Sequence, residues 1–306
     1  MAVLADYSQI CISCAFQIEY QLKGKGTGDF YGFDGDSQPT SFSEDLLRHV
    51  ILNSILQYKR RFQKEYGEFI YCIDAKNSWR QQLFEYYKHH RKKIKESAII
   101  DWDLMYAFMD AFHKELSSHF GYKVLKVKSA EADDLIAVLS QEMHQKEKIL
   151  IISSDKDFLQ LQRYPNITQF SPAKRDYLEC DDPKAFLFDH VVRGDAGDGI
   201  PNIFSPLSSY KDKRKCKPVF AKKMVKWQET RDPRQIPEWD EDIIKRFKQN
   251  KVLIDFRFIP KRLKERIITG YDVVVSDKMN GHLTGDKLNY FVEHGLANLM
   301  GFMSEF

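Results

Sequence analysis

Lys148-Ile149-Leu150-Ile151-Ile152-Ser153-Ser154-Asp155-Lys156-Asp157 places four aliphatic residues in a row and then two carboxylates two apart. A run this short and apolar, closed by serine and aspartate, reads as a strand buried on both faces. Two other stretches have the same form: Val3-Leu4-Ala5-Asp6, and Phe69 to Ile73 followed by Asp74. A further strand is expected over 122–127. Helical patterns separate these strands at 9–22, 43–66, 103–120 and 131–145. In the second of them Leu47, Val50, Ile51, Ser54, Ile55, Tyr58 and Phe62 recur at helical period, and Ser41 and Glu44 have capping-box spacing. Strands alternating with helices predict an α/β fold with a mostly parallel central sheet flanked by helices.

The chain has 306 residues, 43% hydrophobic and 13% aromatic, which suffices for a core and excludes global disorder. Its length suits about two domains. Lys and Arg number 47 against 44 Asp and Glu, a net charge of +3. That balance decides nothing about a polyanionic partner; the distribution must. No apolar run approaches the roughly 20 residues of a membrane span. Asp6 follows too short an apolar stretch for a signal peptide, so a cytoplasmic protein is expected. Five cysteines, at 11, 14, 72, 180 and 216, read as reduced thiols. Cys11 and Cys14 have C-x-x-C spacing without a second pair or a histidine pair, and are taken as small residues on the first helix.

Residues 23–40 hold five glycines and three aspartates and read as a loop. Gly24, Gly26 and Gly28 do not make a dinucleotide fingerprint, and Asp34-Gly35-Asp36 lacks the rest of a calcium loop. Beyond residue 180 helical patterns dominate, separated by prolines at 183, 201, 206, 218, 233 and 237. The expected division is an α/β region at 1–180 and a mainly helical region at 181–306.

The chemistry lies in position. Asp6, Asp74 and Asp155 each end a strand, and ligands of an open α/β sheet bind at the carboxyl ends of its strands. Glu131-Ala132-Asp133-Asp134 opens a helix after a strand. Gly194-Asp195-Ala196-Gly197-Asp198-Gly199 adds two acids three apart in a glycine-rich turn. Alone, each has an ordinary reading as an N-cap, a helix-dipole partner or a turn former. Together with Asp157 they give nine acids at equivalent topological positions: 6, 74, 131, 133, 134, 155, 157, 195 and 198. Such crowding requires compensation, and a set without a His or Cys cluster favours hard cations, Mg2+ or Mn2+.

Two basic stretches could hold a polyanion. Residues 76–95 carry seven Lys/Arg against Glu85, interleaved with Trp79, Phe84, Tyr86 and Tyr87. Lys88, Arg91, Lys92 and Lys95 are spaced to share a helical face, and aromatic rings offer stacking surfaces for bases. Residues 211–226 carry eight Lys/Arg against Asp212, suited to backbone phosphate.

In these features the chain resembles the flap endonuclease, or 5′-nuclease, family, and within it the ribonucleases H of T-even bacteriophages. The likeness runs nearly end to end. It is carried by Leu4 to Ile10, His49 to Ile55, Cys72 to Lys76, Tyr86-Tyr87-Lys88 through Arg91, Glu131 to Asp134, Ile151 to Phe158, Leu253-Ile254-Asp255 and the tail from Tyr290. It implies a PIN/5′-nuclease-like fold with the catalytic domain at 1–180, a helical arch at about 76–100 and a duplex-binding helix-three-turn-helix element after residue 181. It implies two metal ions, Mg2+ with Mn2+ as substitute. Asp6, Asp74, Glu131, Asp133 and Asp155 would serve the first, with Asp134 nearby; Asp157, Asp195 and Asp198 would serve the second. A K+ ion is implied at the helix-three-turn-helix element, where Gly197 and Gly199 would meet the duplex.

By the same resemblance Lys88 and Arg91 would act on the scissile phosphate and Tyr87 would stack on a base. From the two basic stretches, and not from the resemblance, Lys76, Arg80, Lys92, Lys95, Lys213, Arg214 and Lys215 are expected to contact nucleic acid. The implied activity is metal-dependent 5′ to 3′ hydrolysis near 5′ ends of RNA–DNA hybrids, duplex DNA and 5′ flaps, by a monomer. It suits removal of RNA primers in phage DNA replication, in the host cytoplasm, with single-stranded-DNA-binding protein and sliding clamp as candidate partners. Phe302 and Phe306 are candidate docking residues, or else pack in the core. A non-catalytic branched-DNA binding protein is the alternative, although a pure binder gains nothing from carboxylates facing phosphate. A haloacid-dehalogenase-like phosphatase would need a D-x-D pair, and position 8 is serine.

Overall fold

A computed structural model of the chain describes residues 1–23, 42–91, 100–230, 233–276 and 283–306. Among them, six strands form one sheet in the order β3-β2-β1-β4-β5-β6. The strands are β1 (Ala2–Asp6), β2 (Glu68–Ile73), β3 (Lys123–Lys126), β4 (Ile149–Ile152), β5 (Ile167–Ser171) and β6 (Asp176–Leu178). The first five are parallel and β6 runs antiparallel at the edge. Both faces of β1 are buried: Val3 and Ala5 join one core, Ala2 and Leu4 the other. That explains why the strands read as unbroken apolar runs.

One face is covered by α1 (Tyr7–Leu22), α2 (Glu44–Tyr66) and α4 (Trp102–Ser118). Cys11 and Cys14 are buried on α1 as free thiols. Helix α2 begins later than the capping-box spacing implied. Ser43 is its N-cap and accepts from the Leu46 amide at 3.1 Å, whereas Ser41 lies outside the described residues. The glycine-rich loop expected at 23–40 also lies outside them, apart from Lys23. The other face is covered by α5 (Ala132–Met143) and α9 (Lys261–Ser276).

After residue 180 the chain is helical but does not pack as one block. Helices α6 (Pro183–Arg193), α7 (Ala221–Glu229) and α8 (Glu241–Ile254) build a third core with Phe84 and Tyr87. Three turns, at 196–199, 203–205 and 207–213, separate α6 from α7. Helix α9 returns to the sheet, and α10 (Leu283–Glu293) and the residues that follow it seat Tyr290, Phe291 and Phe306 in the first core. Phe306 is therefore a core residue. Phe302 is exposed, with the Arg60 guanidinium 4.5 Å from its ring centre. No helix among the described residues is long and apolar enough to cross a membrane.

The segment expected to present a cationic helical face is different in kind. Helix α3 (Trp79–Leu83) is one short piece, turns follow from 85 to 90, and Lys88 has φ +56°. A residue in the left-handed region cannot continue a helix, so Lys88 leaves the row it was expected to share. Lys92 and Lys95 lie outside the described residues.

The buried Arg48 of α2 clamps Glu115 of α4 through two bonds of 3.0 Å, and the Tyr290 hydroxyl donates to the same carboxylate at 2.6 Å. Burial raises the Glu115 pKa, but these donors outweigh it and leave it lowered. A depressed folded-state pKa stabilises above the unfolded value and loses that contribution as pH falls. Glu115→Gln is expected to destabilise the fold by about 1–3 kcal/mol at pH 7 in urea melts. The difference should begin to shrink as pH falls below the ordinary glutamate range and be lost as pH passes through the lowered folded-state pKa; a pH-independent difference would refute this account.

Candidate active site

The register of the sheet brings the strand-end acids together. Ala5 pairs with Tyr71 and with Ile152, so Asp6, Asp74 and the Ser153–Asp155 turn leave one edge side by side. Each acid also has local work. Asp6 caps α1, accepting from the Gln9 amide at 3.0 Å. Asp74 accepts from the Ala132 amide at 2.9 Å and from the Ser8 hydroxyl at 2.6 Å, joining β2 to the start of α5. Asp155 accepts from the Asp157 amide at 2.9 Å. Asp195 closes its turn by accepting from the amides of Gly197 (2.7 Å) and Asp198 (3.2 Å). Gly194 enters that turn at φ +68°, where a Cβ would lie 2.3 Å from the Ile200 carbonyl oxygen. Asp6, Asp74, Asp133, Asp155 and Asp198 line one 680 Å³ cavity with Lys88 and Arg91.

Cations approach the cluster from the segment after Asp74. Lys88 Nζ lies 2.6 Å from Glu131 Oε1 and 3.6 Å from Asp198 Oδ1. Arg91 donates to Asp198 Oδ1 at 2.6 Å and to the Gly197 carbonyl at 2.8 Å. The backbone follows, since the Lys88 amide donates to the Asp198 carbonyl at 2.7 Å. The pairings expected with nucleic acid for Arg80 and Tyr87 do not fit their positions. Arg80 is 3% exposed; it binds Glu131 Oε2 and Asp134 Oδ1, both at 2.8 Å, and the Leu253 carbonyl. Tyr87 is 4% exposed, its hydroxyl lying 2.8 Å from Glu131 Oε2 and 2.7 Å from Asp198 Oδ2. Neither can meet a base or phosphate without leaving the core.

Asp134 likewise lies behind the site. It is 0% exposed, and the Trp79 indole and the Glu131 amide occupy its second oxygen while Arg80 holds the first. It forms a capping box with Glu131 and is a structural acid. Lys76 is exposed at the cavity wall. Lys213 on the last turn before α7 and Arg214 and Lys215 just after it are exposed, Arg214 3.7 Å from Asp212.

His190 on α6 had gone unnoticed in the sequence. Its Nε2 lies 2.9 Å from Asp157 Oδ1 and 3.9 Å from Asp195 Oδ2, and the three residues have the spacing of a metal site. Burial disfavours its imidazolium, but Asp157, Asp195 and Asp155 outweigh that and raise its pKa to about 9. The nearest signal was weak: His190 is five residues before Asp195, on the helix that leads into the turn.

The electrostatics show a cluster short of positive charge. Burial first and Asp74 second push Asp6 up to about 7. Burial and Asp157 push Asp155 up to about 6; burial and Asp198 do the same for Asp195. Asp133 is raised well above the ordinary range by burial and Asp155. Glu131 is the exception: burial works against its charge, but Lys88 and Arg80 draw it down to about 2. An oxygen-rich set held in this state fits divalent cations of the hard class.

Carboxylates with raised folded-state pKa values stabilise at low pH and lose that contribution as pH rises through those values. Without divalent ions, stability is expected to fall by on the order of 3 kcal/mol between pH 5 and 8. Mg2+ should flatten that slope, and Asp155→Asn should raise the midpoint in chelator at pH 7.5. Melts that show the same slope with and without Mg2+ would refute the charge-crowding account.

Comparison with known proteins agrees with this architecture. Residues 30–186 match the family described as 5′-3′ exonuclease, N-terminal resolvase-like domain, and residues 183–306 match T4 RNase H, C terminal. The chain is 30% identical to the ribonuclease H of Enterobacteria phage T4, over 99% of this chain and 95% of that protein. It is 32% identical to the flap endonuclease Xni of a Shewanella species (strain MR-4), over 41% of this chain and 48% of that one. A crystal structure of the T5 D15 protein with metal ions shares the fold, with a TM-score of 0.61 at 12% identity, covering 90% of this chain and 98% of that one. A complex of the T5 D15 flap endonuclease with DNA and metal ions also superimposes with a TM-score of 0.61, at 13% identity over 89% and 98% of the two chains. With its strand-end acids on a parallel sheet and a relative matching 99% of its length, the chain belongs to the 5′-3′ exonuclease and flap endonuclease family of nucleases, with the T4 ribonuclease H type of C-terminal region.

Proposed function

We propose that this nuclease uses divalent metal to hydrolyse phosphodiesters, working 5′ to 3′ near the 5′ ends of RNA–DNA hybrids, duplex DNA and 5′ flaps. The observation that carries the reading is one cavity in which five aspartates face Lys88 and Arg91 at the carboxyl edge of the sheet. Mg2+ suits the oxygen donors, and Mn2+ can replace it. Asp6, Asp74, Glu131, Asp133 and Asp155 are assigned to one ion, and Asp157, Asp195 and Asp198 to the other. His190 adjoins the second group as a counter-charge. When bound, the two ions supply Lewis acidity toward the attacking water and the leaving 3′ oxygen.

The chain's own residues do the rest. Lys88 and Arg91 are placed to neutralise charge growing on the phosphate. Tyr87 and Arg80 hold Glu131 and the Asp198 turn and do not meet substrate. The turns between α6 and α7, with Lys213 on the last of them and Arg214 and Lys215 after it, are assigned to duplex backbone and to a K+ ion. The cellular task we infer is removal of RNA primers from lagging-strand fragments in phage replication, in the host cytoplasm. The protein would act as a monomer beside single-stranded-DNA-binding protein and a sliding clamp.

The test is cleavage of a 5′-end-labelled RNA–DNA hybrid and a 5′-flap duplex, with and without Mg2+. Metal-dependent release of short 5′ fragments is expected. Asp133→Asn should lower turnover at least roughly a thousandfold while binding changes little. Binding of branched DNA with no cleavage in Mg2+ or Mn2+ would replace this reading with that of a junction-binding protein.

A further inference from the structure

The 680 Å³ cavity is far larger than two ions and one phosphodiester need, and its lining reaches beyond the acids to Lys126 and the residues of α4. The edge of the sheet has an order. The Asp195–Asp198 turn and α6 stand beside the Asp155 turn after β4; Asp6 and Asp74 follow, and β3 comes last. There Lys126 ends the strand, paired with Ile73, so the row of strand-end acids finishes in a cation. Adjacent strands lie about 4.8 Å apart, which puts Lys126 one strand beyond Asp74.

Above Lys126 the cavity is walled by α4. Tyr106 is 42% exposed on that wall and is backed by Trp102, ring centres 5.8 Å apart. Ile12 and Ala107 add an apolar floor beside it. Asp110 holds Lys126 at 2.8 Å and, outside the cavity lining, Lys114 at 3.2 Å, and Asp103 lies on the same wall. A flat aromatic ring, an apolar floor and a cation are the chemistry of one unpaired nucleotide: a base to stack and a phosphate to neutralise.

The inference rests on the nuclease reading. A strand whose duplex part lies on the helical region must cross the acids from the Asp195 side toward β3. In 5′ to 3′ cleavage the part beyond the scissile phosphate is the departing 5′ piece. We propose that the α4 wall is the subsite for the first departing nucleotide, with Tyr106 against its base and Lys126 on its phosphate. The ordinary alternative is that Lys126, Asp110 and Lys114 are a surface ion-pair network with no ligand.

The probe is a 5′-flap duplex with 5-iodouracil at the first unpaired nucleotide, irradiated in Ca2+ in place of Mg2+. The crosslink is expected on Tyr106, retained in Tyr106→Phe and lost in Tyr106→Ala. In Mg2+, Tyr106→Ala and Lys126→Ala should each lower kcat/KM on the flap about tenfold. Affinity for a duplex with no unpaired 5′ nucleotide should change less than twofold. A crosslink on another element, or unchanged kcat/KM in both variants, would overturn the subsite. Failure of the unmodified protein to cleave in Mg2+ or Mn2+ would instead overturn the nuclease reading, and the crosslink position would still decide whether this wall takes a nucleotide.

Discussion

Like-charge crowding at the carboxyl edge of the sheet is the constraint around which the rest is arranged. Parallel pairing of β2, β1 and β4 forces the residues after those strands into one small region, and in this chain those residues are acids. Burial first and mutual repulsion second push the pKa values of Asp6, Asp155 and Asp195 up. The fold answers with cations in fixed places: Arg80 behind Glu131, Lys88 and Arg91 in front, His190 at the far end. These cations do not saturate the site. A site half-neutralised by protein has a use for further positive charge, and that is a requirement of metal-assisted phosphodiester chemistry.

The same contacts join the helical region to the sheet. Glu131 opens α5, Asp198 belongs to the turn after α6, and Tyr87 spans them with one hydroxyl. A phenol has one proton, so it can donate to only one of the two carboxylates at a time. Arg80 adds a bond to the Leu253 carbonyl near the end of α8, which ties a second helix of that region to the acid cluster. The segment 79–91 is therefore a seam between two packing units as well as a carrier of charge. Its left-handed Lys88 follows from this: the backbone must turn there to present both the amide and the side chain to Asp198.

The sheet and the acid edge were readable in the sequence because both are local signals. A four-residue apolar strand followed by aspartate needs no knowledge of distant contacts, and parallel register then aligns the acids. Residues whose roles depend on long-range burial were not readable. Arg80 and Tyr87 sit in a basic, aromatic stretch that suggests nucleic acid, yet partners 44 to 173 positions away draw both inside. Asp134 carries the same letter as Asp133, and only the phase of α5 separates a facing acid from a capping one. His190 follows Asp189 in sequence with no motif to mark it, and the acids it meets come from two other segments.

This difference between local and long-range signals also bears on how the two ends of the cavity divide their work. On the Asp195 side, the half-buried Lys88, its side chain 18% exposed, lies 2.6 Å from the buried Glu131. On the β3 side, Lys126 is 37% exposed and shares Asp110, itself 55% exposed, with Lys114. Tightly paired cations hold geometry, because breaking a desolvated pair is costly. Exposed cations and rings can exchange their partners for a ligand at little cost. A strand crossing this edge would thus meet a rigid end where its bond is broken and a yielding end where a product must leave, which is the asymmetry a hydrolase needs for turnover.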